Sequence, residues 1–162
     1  MRRFAIPLLS LFIAAARGLE ANPTVPGNVA VLKGGIAHAP ASAPAAVQKA
    51  IWAVNTIVRK PYRWGGGHST FFDVGYDCSG SVSFMLHHAG VLAQPTPSKA
   101  LQAYGESGPG RWITVHARLG HTFAVVAGLR LDTTGRREGE GPRWRPEYRS
   151  PAGFVTRHPL GL

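Results

Sequence analysis

Proline and glycine interrupt this chain more often than helices alone would need. The 162 residues include 20 glycines and 13 prolines, so their density predicts a loop-rich domain with generous turns. Hydrophobic residues make up 44%, which argues against disorder throughout. The length suits one domain with a real core.

Two stretches escape this punctuation with helical spacing. In "PAAVQKAIWAVNTIVRKP" (Pro44 to Pro61), Val47, Ala50, Ile51, Val54 and Val58 form one apolar face. Pro44 suits a helix start, Arg59 and Lys60 fall in the last turn, and Pro61 ends it. A second helix is expected over about Cys78 to Ala89, with Val82, Met85, Leu86 and Ala89 on one face and Gly90 as the terminating residue. Residues 91–110 read as a loop with one helical turn. "RWITVHA" (Arg111 to Ala117) reads as a strand, and "GHTFAVVAGLRLDTT" (Gly120 to Thr134) as a hairpin turning near Ala127-Gly128. From Gly135 the chain is basic and irregular, with one strand near Gly153–Thr156.

The first residues have the form of an export signal. Arg2 and Arg3 precede an apolar run of 13 residues, Phe4 to Ala16, followed by small residues at Ala14-Ala15-Ala16 and Ala16-Arg17-Gly18. A membrane span needs about 20 residues, so cleavage is favoured over an anchor, and no stable membrane insertion is expected afterwards. Residues 1–18 are thus assigned to a signal peptide and 19–43, rich in Ala, Pro and Gly, to a linker with one short strand near Val29–Leu32. Residues 44–162 are expected to form the main domain. Loss of residues 1–18 removes Arg2, Arg3 and Arg17 and no acid, taking the formal charge from +10 to +7. A cationic exported protein is drawn to anionic polymers. Bacterial cell wall fits, while the signal argues against nucleic acid.

Export sharpens the meaning of the one cysteine. Exported proteins use cysteines mostly in disulfide pairs, and Cys78 has no partner in the chain. It is an intermolecular link, an inert buried thiol or a reactive group. Its surroundings in "YDCSGSVSFMLHHAG" (Tyr76 to Gly90) favour the last. Asp77 is placed to cap the helix through the N–H of Ser79 or Gly80. Cys78 is then its first residue, where unpaired N–H groups and the helix dipole favour a thiolate. Ser79, Gly80 and Ser81 leave room for another molecule to approach.

A nucleophilic thiol needs a base. Of seven histidines, His87 and His88 lie at the far end of the same helix, while His121 opens a strand. If Phe123 and Val125, which alternate with it, pack on the Cys78 helix, His121 looks at one end of that helix. With an even hairpin turn, Phe123 pairs with Asp132, which puts Asp132 on the His121 face; an odd turn brings Thr133 there instead.

These segments resemble the successive motifs of the NlpC-type cell-wall cysteine peptidases: "PYRWGGG" (Pro61 to Gly67), "YDCSGSVSFML" (Tyr76 to Leu86) and "GHTFAVVAGLRLDTT". The likeness spans roughly Ala45 to Thr134. It implies an α+β, papain-like domain, the cysteine helix packed on an antiparallel sheet, needing no cofactor or metal. It implies a peptidoglycan endopeptidase that cuts stem peptides between γ-D-glutamate and a diamino acid. Cys78 takes the place of the nucleophile, His121 of the base and then acid, and Asp132 of the orienting residue. Tyr62 takes the place of an oxyanion donor, and Asp77 with Ser79 that of the pair binding the free amine of the substrate. The chain departs from the family in three places. The loop from Gly67 to Asp77 is long, and Phe71-Phe72 could cover the site. "RWITVHARLG" replaces the usual lead-in to the histidine, and Asp stands at the third catalytic position. The alternatives are an amidase or acyltransferase on the same fold, and a non-catalytic wall-binding module.

Other features read as structural. Trp64 is expected to anchor the loop by packing, and Trp112 and Trp144 to be core or lid residues. Arg136, Arg137, Arg143, Arg145, Arg149 and Arg157 are expected on a solvated basic face. His87-His88 makes a poor metal site because neighbours on a helix point apart.

Overall fold

Asn55 explains where the first helix stops. In the computed structural model, which describes residues 22–135 and 139–162, helix α1 spans Ala45–Asn55 and buries Val47, Ala50, Ile51 and Val54. The Asn55 side chain accepts the N–H of Ala37 at 2.9 Å and donates to the carbonyl of Ala37 at 2.8 Å. It also accepts the indole N–H of Trp144 at 2.9 Å. The β-branched run that follows leaves the helix in turns to Lys60, so Arg59 and Lys60 are not in its last turn, contrary to the expectation from periodicity. The expected signal segment, Arg136 and Arg137 lie outside the described residues.

The segment expected to be a linker is part of the folded unit. β1 (Thr24–Val25), β2 (Val31–Lys33) and β3 (Ile36–Pro40) form a small sheet in the order β1-β3-β2. Ala30, Ala37, Ala39 and Ala43 join the main core. Alanine-rich sequence reads as linker, yet small side chains are what let this sheet lie close on α1.

Helix α2 (Cys78–His88) buries every residue from Cys78 to Leu86. It packs on α1 and on a second sheet, so it has no solvent face. Its serines are therefore bonded. Ser83 Oγ donates to the Thr96 carbonyl at 3.1 Å and accepts the Thr96 N–H at 2.9 Å. This fastens the loop before helix α3 (Ser98–Leu101).

The second sheet is antiparallel throughout. Its strands are β4 (Glu106–Ser107), β5 (Ile113–Arg118), β6 (His121–Val126), β7 (Leu129–Asp132), β8 (Arg143–Arg145) and β9 (Val155–His158). Their order is β4-β9-β5-β6-β7-β8. The fold is α+β. The tail, expected to be irregular with one strand near Gly153–Thr156, supplies two, of which β9 overlaps that stretch and lies beside β5. Trp112 and Trp144 are buried. Among the described residues no helix is long and apolar enough to cross a membrane.

The β6–β7 turn has two residues, Ala127 and Gly128, with φ of 46° and 89°. Positive φ at both central positions marks the turn whose twist suits a tight hairpin. The register it sets pairs Ala124 with Leu131 and Val126 with Leu129. The face of β6 that meets α2 is not the expected one, however. Ala124 and Val126 belong to the core that α2 shares, whereas Phe123 lies on the opposite face against His116 and Phe154. The chain after β8 covers that outer face, so β6 is apolar on both sides and alternation could not tell which side meets the helix.

Candidate active site

Two glycine-containing motifs, far apart in what they encode, clasp one another at the mouth of α2. The Arg63 N–H donates to the Tyr76 carbonyl at 3.2 Å, Tyr76 N–H to Pro61 at 3.1 Å and Asp77 N–H to Gly66 at 3.2 Å. The fit is tight. A Cβ on Gly80 would stand 2.0 Å from the Gly66 carbonyl oxygen, and one on Gly67 would stand 2.9 Å from the Gly80 Cα. Gly80→Ala should therefore destabilise the protein by about 2–3 kcal/mol despite alanine's better helix propensity. Thermal unfolding would show a drop of roughly 5–10 °C; an unchanged midpoint would mean the clasp is loose.

Asp77 caps α2. Its Oδ1 accepts the Gly80 N–H at 2.7 Å and the Ser79 hydroxyl at 3.1 Å, and its Oδ2 accepts the Gly65 N–H at 3.1 Å. One carboxylate thus fixes both the helix start and the glycine loop. His68, from the glycine loop, stands on the same group. Its Nε2 lies 2.9 Å from Asp77 Oδ2 and 2.9 Å from Ser79 Oγ.

Cys78 opens α2 and is buried but for one side, which faces a cavity of about 360 Å³. Tyr62, Trp64, His68, Asp77 and Ser79 line it from the glycine loop and helix mouth, and Lys99, Leu119 and Gly120 from across. Trp64 is no packing anchor: it is 88% exposed at the cavity rim. Phe71 and Phe72 do not cover the site. Phe71 stacks on His87 with centroids 3.9 Å apart and Phe72 meets Phe84 and His88, at the far end of α2. The Tyr62 phenol is raised above its ordinary value by burial and by the negative charges of Cys78 and Asp77. It therefore keeps its proton and remains a donor.

His121 stands close enough to Cys78 for the two side chains to interact. It reaches the thiol because it is the first residue of β6, next to the Leu119-Gly120 turn that borders the cavity, and not by sharing a face with residues packed on α2. Its Nε2 is 3.2 Å from Asp132 Oδ1, 3.3 Å from Thr134 Oγ1 and 3.2 Å from Arg149 Nη1. All three of these groups meet Nε2 and none meets Nδ1. Burial works against a charge on His121, but the hydrogen bond to Asp132, the contact with Cys78 and their negative charges outweigh it. The imidazole is pushed up to about 9.

Asp132 is wholly enclosed. Besides His121 it accepts the Thr134 N–H at 2.9 Å on Oδ1 and Arg149 at 2.6 Å on Oδ2, and Arg130 Nε forms an ion pair with Oδ2 at 3.3 Å without a hydrogen bond. Burial would raise its pKa, yet these partners hold it below the ordinary carboxylate value. Thr133, the odd-turn alternative, has no contact with His121 among these. The expected solvated basic face is likewise corrected. Arg149 is built into the site, Arg145 pairs with Glu140 at 2.9 Å and Arg143 with Glu140 at 3.8 Å. Sequence reasoning missed Arg149 and His68 because a lone arginine in a basic tail and a loop histidine carry no local signature.

All six candidate residues fall in one neighbourhood: Tyr62, Asp77, Cys78 and Ser79 line the cavity, His121 adjoins Cys78, and Asp132 backs His121. No protein-family model and no curated protein matches the chain.

Proposed function

We propose that this protein is a cysteine peptidase with a papain-like, NlpC-type domain, acting on peptidoglycan stem peptides at the γ-D-glutamyl–diamino acid bond. The observation that carries the reading is the Cys78–His121–Asp132 line, with its sulfur at a helix mouth facing a lined cavity. The sulfur stands at the N-terminal end of α2, beside the His121 imidazole. The sulfur attacks the substrate carbonyl, and the C=O electrons move to oxygen. Tyr62 and first-turn N–H groups of α2 donate to that oxyanion. The tetrahedral species collapses as His121 gives its Nδ1 proton to the departing amine, leaving a thioester. Water, deprotonated by His121, then releases the acid and restores the thiol.

Asp77 and Ser79 suit an ammonium, since His68 already puts a ring nitrogen on both. A substrate amine bound there takes the place of that imidazole. The net positive charge draws the chain to an anionic wall, and the apolar signal-like start is consistent with export to periplasm or cell exterior.

Defined muropeptides incubated with the full chain and weighed by mass spectrometry test this. Two fragments divided between D-glutamate and the diamino acid are expected. A cut at another amide, or transfer to an amine in place of water, would make the protein an amidase or acyltransferase. No product at all from any fragment would reject the enzyme reading.

A further inference from the structure

Arg149 reaches the site from the segment between β8 and β9, and its position poses a protonation question. Its Nη1 is 2.6 Å from Asp132 Oδ2 and 3.2 Å from His121 Nε2. The same Nε2 is 3.2 Å from Asp132 Oδ1. One nitrogen cannot donate to Asp132 and accept from Arg149 at once. The two contacts therefore serve two different states of the ring. With a proton on Nε2, the ring donates to Asp132, and a guanidinium N–H stands against it. With Nε2 bare, Arg149 donates to the lone pair, and the remaining ring proton sits on Nδ1.

The arginine is held in place independently of the ring. Its guanidinium carbon lies 5.0 Å from the Phe123 centroid and 5.5 Å from that of Phe154, two faces that favour a cation. The other charged groups around His121 are Cys78 from α2, Asp132 and Arg130 from β7, and Arg118 from β5. Arg118 is paired opposite His121 and turned over Phe154 at 4.7 Å. Arg130 meets Asp132 rather than the ring. Arg149 is the cation with an N–H at the imidazole itself.

We propose that Arg149 is a positioning residue that offers a donor to bare Nε2 and shares Asp132, so that the His121 imidazolium is not held too firmly to give up its proton. The inference rests on the Cys78–His121–Asp132 line but not on the identity of the substrate. An enclosed carboxylate alone would lock the ring in its charged form. The neighbouring cation offsets part of that attraction and stabilises the neutral form it competes with. The His121 value of about 9 is a balance between burial, which lowers it, and Asp132 and Cys78, which raise it.

Nitrogen-15 NMR of the His121 ring across pH, on the full chain, reads this directly. Arg149→Gln should raise the midpoint by about one unit, since a positive charge within hydrogen-bond distance is removed. Above the midpoint the wild-type ring should carry its proton on Nδ1, and the variant's should move to Nε2, donating to Asp132. Arg149→Lys keeps the charge and should stay near the wild-type midpoint. Arg149→Met keeps the apolar stem between Phe123 and Phe154 and serves if the glutamine variant unfolds. An arginine that merely braces Asp132 predicts the opposite, a lowered midpoint as the carboxylate loosens. That result, or no movement in either variant, overturns the proposal. On muropeptide, kcat should fall about 5-fold with KM unchanged. If wild type cuts nothing, the peptidase reading fails while the NMR result still decides the role of Arg149.

Discussion

Cys78→Ala should abolish release of stem-peptide fragments from purified wall, lowering the rate by at least roughly 10⁴-fold, the scale on which removal of a nucleophile acts. The substitution leaves the fold nearly untouched. Cys78 sits at the cavity wall, and alanine replaces only its sulfur. Loss of activity with an unshifted unfolding curve would therefore report chemistry and not collapse. A second readout follows from the charges. Two of the influences that raise His121 come from Cys78, its side-chain contact and its negative charge. With both gone, the His121 midpoint should fall from about 9 towards the ordinary histidine range. Undiminished fragment release would remove Cys78 from the mechanism. A protein that pellets with wall in a salt-sensitive way, survives Cys78→Ala unchanged and never yields fragments would be a binding module instead.

Asp132→Asn should damage both stability and activity. The side chain is fully enclosed, hydrogen-bonded to Arg149, His121 and the Thr134 N–H, and ion-paired with Arg130. An amide of the same shape removes the one negative charge among three cationic partners. It also turns a donor towards at least one of them. Removing one partner of such a buried group costs about 3 kcal/mol. The pH dependence has a definite sign. The folded-state pKa of Asp132 is lowered, so its stabilisation is present above the unfolded-state value near 3.8. It is lost as pH falls through the folded-state value. Urea unfolding at neutral pH should thus separate wild type from variant, and the two curves should converge in acid. Activity should fall by roughly 10²–10⁴-fold, because the imidazole loses both its orientation and its counter-charge. A variant as stable as wild type at neutral pH would show that the arginines do not depend on Asp132.

The N-terminal sheet and the arginine cluster carry no local signal in the sequence. Residues 22–43 look like a linker because alanine and glycine carry no strand preference, and their strands exist only through pairing and contact with α1. Trp64 was expected to pack, yet its position next to glycines puts it at the cavity rim in solvent. The end of α1 depends on Asn55 meeting Trp144, 89 residues away.

What the sequence determined by itself was short-range. Asp77 and Gly80 are three residues apart, so a cap and a helix start at Cys78 follow from local chemistry. A two-residue turn fixes hairpin register, so Asp132 falls beside His121 once the turn is placed. Only the tertiary structure decided which face of β6 meets α2, that His68 stands on Asp77, and that Arg149 stands between Asp132 and His121. Each of these joins groups whose meeting is set by packing of whole elements. No spacing along the chain encodes it, because the free energy that selects it is spread over the core.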